Sequence, residues 1–257
     1  EQNYRSTQNI INAANTLIAK NSMQIPKEVF SRNDVGERIE VVKSYSDFEE
    51  GYLVTNRIPQ VKMRGTESYD EFAILYRTNA QSRVLEESLR KRNIPYRIYG
   101  GLSFYQRKEI KDAISYLRLA INPDDDEAIK RVINTPSRGI GETTVKKIAA
   151  AAIEHHVSLA AVIHEPDRYS ADLNKGTKSK LAAFISLVDS FGALVRNGLD
   201  ADEMTRAVIT NTGLLSMYLS DRTPESVSKQ ENLEELMNAA RSFVTDKIEQ
   251  GDDEHTS

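Results

Sequence analysis

The sequence predicts an α/β layer of parallel strands and helices, followed by an all-α domain with a helix-hairpin-helix-like Gly-Ile-Gly turn. Three observations predict it. Up to about residue 99, short strand signals alternate with helical periodicity, the pattern of a layered α/β unit. From Lys108 onward every strong segment has helical spacing and strand signals vanish. Between two of those later helices stands Gly139-Ile140-Gly141, a Gly-apolar-Gly turn.

Ser6 to Lys20 reads as a helix, with Ser6 or Thr7 placed to cap it and Ile10, Ile11, Ala14, Leu17 and Ile18 on one stripe. Pro26 ends that region. Arg38 to Lys43 alternates around Ile39 and Val41 and predicts a short strand. Ser46 to Met63 predicts a helix through Phe48, Leu53, Val54, Ile58 and Val61. Glu71 to Tyr76 (EFAILY) is the clearest buried strand, Asn79 to Arg92 a helix through Val84, Leu85 and Leu89, and Pro95 to Tyr99 a second short strand. Helices are then expected over 109–121, 125–134, 143–154, 178–195, 202–211 and 228–247. A domain boundary falls in the acidic turn at Asn122-Pro123, dividing the chain into 1–121 and 122–257. The polar end from Gln250 to Ser257 is expected to fray.

Composition bounds the function. The 257 residues favour two domains. With 39% hydrophobic and 28% charged residues, a buried core and a polar surface are both affordable. No apolar run approaches the roughly 18 residues of a membrane span, and no leader-like segment opens the sequence, so no membrane partner is expected. The absence of cysteine excludes disulfides, thiolate metal sites and cysteine nucleophiles, and fits a cytoplasmic location. Four scattered histidines show no metal-ligand spacing, so no metal ligand is assigned. The net charge of −4 argues mildly against nucleic acid, but charge is uneven. Arg83 to Lys111 carries eight Lys/Arg against three Glu, whereas Glu225 to Ser257 carries three against nine acidic residues. Counterion release depends on the local basic surface.

Four segments have the composition of ligand sites. Tyr4-Arg5 precedes a helix, where a ring can stack on a base and a planar guanidinium can hold phosphate bidentately; helix capping by Ser6 or Thr7 beside a surface Arg is the plainer reading. Arg77-Thr78-Asn79-Ala80-Gln81-Ser82-Arg83 follows the EFAILY strand, and ligands gather where strands of open α/β sheets end. There Asn79 and Gln81 can bond bases or phosphates and Arg83 can neutralise phosphate, while Asn79 also suits a helix cap. Tyr96 to Asp112 interleaves aromatics and cations around Gly100-Gly101, as single-strand surfaces do, with Phe104 and Tyr105 equally suited to a core. In Thr135 to Ile148, the glycines of Arg138-Gly139-Ile140-Gly141 permit a tight turn, and the amides of the next helix face a phosphate, with Thr143, Thr144 and Lys147 nearby. There is no G-x-x-x-x-G-K-[ST] loop and no acidic pair after an apolar strand, so no Walker A or B motif is present. The chain by itself is not expected to hydrolyse ATP.

The strings EQNYRST at 1–7, YRTNAQSRVLEESL at 76–89, IPYRIYGGLSFYQRKEIKDAISYLRL at 94–119, NTPSRGIGETT at 134–144 and ENLEEL at 231–236 together resemble the UvrD/PcrA/Rep type of superfamily 1 DNA helicase. The resemblance runs nearly end to end. It implies the first part of a second RecA-like motor domain, then most of its helical accessory insertion. The parent would be an ATP-dependent helicase moving 3′ to 5′ on single-stranded DNA in repair or replication, using ATP with Mg2+. Its implied partners are single- and double-stranded DNA and repair proteins. It further implies that Tyr4 stacks on adenine, that Arg5 acts catalytically at the γ-phosphate, and that Asn79, with Arg77, Ser103 and Phe104, faces the single strand. Arg138, Gly139, Ile140, Gly141, Thr143, Thr144 and Lys147 would grip the duplex. Ser103 stands where relatives commonly carry Lys or Arg, which implies a weaker backbone contact there. Two other readings compete: a stand-alone DNA-binding module built on the hairpin, and an interaction or autoinhibitory scaffold in which the acidic helix 228–249 docks on a partner or on a basic face of its own chain.

Overall fold

The computed structural model describes residues 1–21, 28–65, 68–99, 101–169 and 171–249. Pro26, Gly100 and the 250–257 tail lie outside them. The chain forms two compact units, Glu1–Glu50 and Gly51–Ser257. It is helix-rich, and its two-stranded parallel sheet is the only sheet among the described residues.

In the first unit, β1 (Gln2–Asn3) pairs in parallel with β2 (Phe30–Ser31), Gln2 opposite Phe30. Helix α1 (Gln8–Ile18) follows β1 and buries Ile11. Thr7 is its N-cap but makes no side-chain cap bond. Its first amides are met instead by backbone: Gln8 N donates to Asp34 O and Asn9 N to Val35 O, both at 3.0 Å. That covers donors every helix start leaves open. The loop approaches so closely that a Cβ on Gly36 would lie 2.4 Å from Thr7 Oγ1. The expected strand over Arg38 to Lys43 does not form. These residues are exposed and join no ladder, with Val41 91% exposed. Alternation alone cannot hold a strand that has neither a pairing partner nor a face to bury.

Helix α2 (Asp47–Lys62) starts with Asp47, Glu49 and Glu50 in its first turn, where acid suits the helix dipole. In the second unit a 3-10 turn (Asn79–Gln81) leads into α3 (Ser82–Lys91). Ile58, Leu89 and Ile94 form a small core with Tyr69, Phe72 and Ile74 against it. The EFAILY segment, whose Glu71 ends a 3-10 turn (Tyr69–Glu71), and Pro95 to Tyr99 lie here, and among the described residues neither expected strand forms a ladder. Phe72 and Ile74 are half-buried while Leu75 is 93% exposed. A parallel strand buried on both faces needs neighbouring strands, and the described residues supply none.

The larger core begins at Phe104. Helix α4 (Lys108–Ile121) sends Ile110, Ala113, Tyr116, Leu119 and Ala120 inward at helical spacing. Around it pack α5 (Asp126–Val132), α6 (Glu142–His155), α7 (Leu159–His164), α8 (Lys175–Arg196), α9 (Ala201–Asn211), α10 (Leu214–Leu219) and α11 (Pro224–Glu249). Asp125, Ser158, Asn174 and Asp200 cap α5, α7, α8 and α9 with side-chain oxygens. All six helices expected beyond Lys108 form. The short α7 and α10, six residues each, had no periodicity long enough to read. No helix among the described residues is long and apolar enough to cross a membrane.

Candidate nucleic-acid interface

In the first unit, the Asn3 side chain accepts from Arg5 N at 2.9 Å and Ser6 N at 2.8 Å, closing a turn. Asn33 Nδ2 donates to the carbonyls of Tyr4 and Ser6, and Ser31 Oγ to Ser6 O. Backbone is thus fixed while both side chains project: Tyr4 is 79% exposed and Arg5 is exposed. An exposed ring and an adjacent exposed fork suit a base and a phosphate.

In the second unit, Gln81, not Asn79, caps the turn: its Oε1 accepts from Arg77 N at 2.9 Å and Thr78 N at 3.0 Å. Asn79 is exposed and, among the described residues, its side-chain amide meets only Ser228 Oγ of α11, at a long 3.4 Å, so it is open to a ligand. Arg77 is exposed as well. Arg83 is not: at 1% exposure it bonds Glu235 Oε1 (2.6 Å) and Glu87 Oε2 (3.0 Å). Burial works against its charge, but the two carboxylates outweigh it and raise its pKa above the ordinary arginine value. The expected phosphate contact by Arg83 therefore gives way to an internal ion pair, and the acidic helix docks Glu235 on a cation of its own chain.

Glu86 is the hub of the same region. Its carboxylate accepts from Ser82 Oγ, Tyr96 OH, Ser103 Oγ, Phe104 N and Arg90 Nη2. The Ser103 hydroxyl thus faces Glu86. Phe104 is fully buried, edge-on to Tyr105 at 5.1 Å. Its ring belongs to the core and offers no face to a base, which corrects the single-strand assignment. The most exposed ring of this stretch is Tyr99, 82% exposed, beside exposed Arg97. Arg107 is buried and bridges Asn79 O (2.9 Å), Ser82 Oγ (2.8 Å) and Asn232 Oδ1 (2.7 Å). Burial lowers its pKa, partly offset by Glu86 and Glu109. A cleft of about 460 Å3 lies here, lined by Asn79, Tyr99, Leu102, Lys108, Ser228 and Lys229 among others.

The hairpin joins α5 to α6. Gly139 takes φ +68°, a left-handed conformation that glycine adopts without cost. Asn134 Oδ1 accepts from Arg138 N (2.7 Å) and Ile140 N (3.2 Å), bracing the turn from within. Ile140 is buried as its anchor. Gly141 is the N-cap of α6, exposed, and a Cβ there would meet nothing within 4 Å. No side chain caps that helix start, and Glu142, Thr143 and half-buried Thr144 form its first turn. Uncapped amides at an exposed helix start attract anions. Lys147 lies one turn further, held by Asp172 at 3.0 Å. Arg138 departs from expectation. Its guanidinium donates to the carbonyls of Val132 (3.2 Å), Pro136 (3.1 Å) and Thr212 (3.4 Å), and lies 5.7 Å from Tyr116 and 5.6 Å from Phe184. It fastens the hairpin inward, with its fork turned to carbonyls of its own chain.

Three residues of this architecture were not read from the sequence. Asn134 carried a usable signal, a short amide side chain just after a helix and before two glycines. Asn232 and Lys180, whose Nζ donates to Gly139 O at 3.1 Å, are too distant in sequence from their partners for spacing to betray them. No group of metal-ligating side chains occurs among the described residues.

These features define a helix-rich class with an exposed hairpin and a separate Tyr-Arg turn. The family described as the UvrD-like helicase C-terminal domain matches residues 1–256, and the chain belongs to that family. Among its relatives, the ATP-dependent DNA helicase PcrA of Bacillus subtilis (strain 168) is 39% identical over 249 residues, covering 95% of this chain and 32% of the relative. DNA helicase II of Escherichia coli (strain K12) is 40% identical over 243 residues, covering 95% of this chain and 33% of the relative. The chain spans about a third of the length of the curated relatives it matches.

Proposed function

We propose that this chain is the duplex-gripping and nucleotide-contacting part of an ATP-dependent DNA helicase. The observation that carries the reading is the hairpin. An exposed Gly141 opens an uncapped helix, on a turn braced by Asn134 and anchored by Ile140, in a family whose relatives include an ATP-dependent DNA helicase PcrA and a DNA helicase II.

In this reading residues 1–121 contribute part of a RecA-like motor domain, and 122–257 a helical accessory domain with a helix-hairpin-helix element. Gly139 shapes the turn, and the amides around Gly141 and the hydroxyls of Thr143 and Thr144 bond a phosphate. Lys147 adds charge. Such contacts read no bases, so binding is independent of sequence and sensitive to salt. Asn79 and Arg77 meet the single strand. Tyr4 stacks on the base of ATP, and Arg5 reaches its phosphates; the projecting pair fits that group, although the chain has no Walker loop to cradle it. ATP with Mg2+, when bound by the complete protein, supplies the free energy for closing two motor domains. Translocation 3′ to 5′, a role in repair or replication with repair-protein partners, and a cytoplasmic location complete the proposal.

The test is fluorescence-anisotropy binding to a duplex with a 3′ single-stranded tail across a salt series, beside Gly141→Val. Position 141 has extended φ −79° and open space for a side chain, so the variant folds with about 1 kcal/mol lost at the N-cap, while the added side chain blocks the phosphate. A variant that binds as tightly as the parent chain refutes the grip.

A further inference from the structure

We propose that Lys180 is a phosphate-contacting residue of the duplex grip, supplied by α8 rather than by the hairpin. The inference rests on the reading of the hairpin given above and extends it to a residue in no recognised motif.

Lys146 and Lys147 follow the hairpin on α6, and Lys178 and Lys180 lie on α8. Three are compensated within the chain: Lys146 by Glu142 at 2.8 Å, Lys147 by Asp172 at 3.0 Å, and Lys178 by Asp167. Lys180 is exposed and forms no ion pair among the described residues; its Nζ donates to Gly139 O at 3.1 Å. A carbonyl carries only a partial charge, so the ammonium keeps nearly its whole charge for an incoming anion. One of its three donor hydrogens is used, leaving two. Its base is fixed, because Leu181, the next residue, is fully buried in the helical core.

The position matters as much as the charge. A backbone carbonyl at the mouth of an anion site repels phosphate. At the turn of this hairpin that carbonyl is Gly139 O, and Lys180 covers it. The ammonium therefore turns an unfavourable dipole into a positive edge beside the amides of α6. Three compensated lysines offer less, because phosphate must compete with their carboxylates.

The experiment is the same anisotropy titration on the 257-residue chain, from 50 to 200 mM salt, with Lys180→Gln, Lys180→Arg and Gly141→Val. Glutamine retains an N–H donor for Gly139 O but drops the charge, so a purely structural role would survive it. The slope of log affinity against log salt is about −0.9 per phosphate neutralised. Lys180→Gln is expected to make it shallower by about 0.9, so that the affinity lost between 50 and 200 mM salt is about 3.5-fold smaller. Its melting temperature stays unchanged, and Lys180→Arg restores the slope. If Gly141→Val weakens binding while Lys180→Gln leaves the slope untouched, Lys180 is no phosphate contact and the grip stands without it. If Gly141→Val binds normally, the grip itself fails and the role of Lys180 with it.

Discussion

Replacing Arg138 with alanine separates a duplex contact from a structural clasp. The guanidinium bonds Val132 O and Pro136 O at good distance and Thr212 O at 3.4 Å, between the rings of Tyr116 and Phe184. Val132 O keeps a second donor, Tyr116 OH at 3.1 Å, so its loss is partial. Hydrogen bonds involving a charged group contribute about 1.5–3 kcal/mol each, and a cation–π contact about 0.5–2 kcal/mol. Arg138 is half-buried, which favours the low end, and terms sharing one side chain do not add fully. A net cost of about 3 kcal/mol follows, or a fall of roughly 6–12 °C in the melting of the helical core for a domain this size. Arg138→Lys falls between, since one ammonium cannot reach three carbonyls. The assay is a circular-dichroism melt paired with the salt series on DNA measured well below the transition. The clasp predicts a large drop in Tm and an unchanged salt slope. A variant that melts with the parent chain but binds DNA with a slope shallower by about 0.9 would show that Arg138 faces phosphate and refute the reasoning.

Other consequences are checked in the same way. Glu86→Gln places an amide among donors that include Phe104 N and the Ser82 and Ser103 hydroxyls, and is expected to cost about 2–4 kcal/mol in urea unfolding; a cost below 0.5 kcal/mol would mean the hub is not formed. Gly139→Ala forces a side chain into φ +68° and brings a Cβ to 2.7 Å from Lys180 Nζ, so it should lose about 1–2 kcal/mol, whereas Gly141→Ala should stay within about 0.5 kcal/mol. Burial pushes the Tyr116 hydroxyl up to about 12, with Arg138 partly opposing. The unfolded chain releases that proton from about pH 10, so stability is intact below pH 10 and falls by about 2–3 kcal/mol as pH rises from 10 to 12. Tyr116→Phe should flatten that part of the pH profile; an identical profile would sink the assignment.

The helices were legible because each carries its own stripe. Ile110, Ala113, Tyr116 and Leu119 repeat every three residues, and the core they face comes from other parts of the same chain. EFAILY misled for the opposite reason. Its apolar run reports a preference for burial between neighbouring strands, and that preference is visible whether or not the neighbours are at hand. The cations show a second limit. Arg83 and Arg138 have the composition of phosphate ligands, yet one faces Glu235 and the other faces carbonyls at 132, 136 and 212. What a guanidinium faces is a tertiary fact that local spacing does not encode. The backbone-defined parts of the site were readable: Gly139 needs its left-handed φ, and Gly141 opens a helix, because glycine marks geometry directly.

The ENLEEL helix gains its meaning from the two arginines that sequence patterns assigned elsewhere or passed over. Arg107 touches the Asn79 carbonyl and Asn232 at once, and Arg83 holds Glu235 one turn further along α11. Asn232 in turn donates to buried Glu109 at the start of α4. A buried, hydrogen-bonded network of this kind fixes position more than it adds net stability, since each charge must first be stripped of water. Its effect is to tie the exposed Asn79 turn to the helical core across some 150 residues of chain. The backbone at Asn79 is therefore held through Arg107 to Asn232 of α11. Removing the Asn232 amide would leave Arg107 buried with fewer acceptors and free the Asn79 carbonyl to move with it. The seating of α11 thus bears directly on where the Asn79 turn sits.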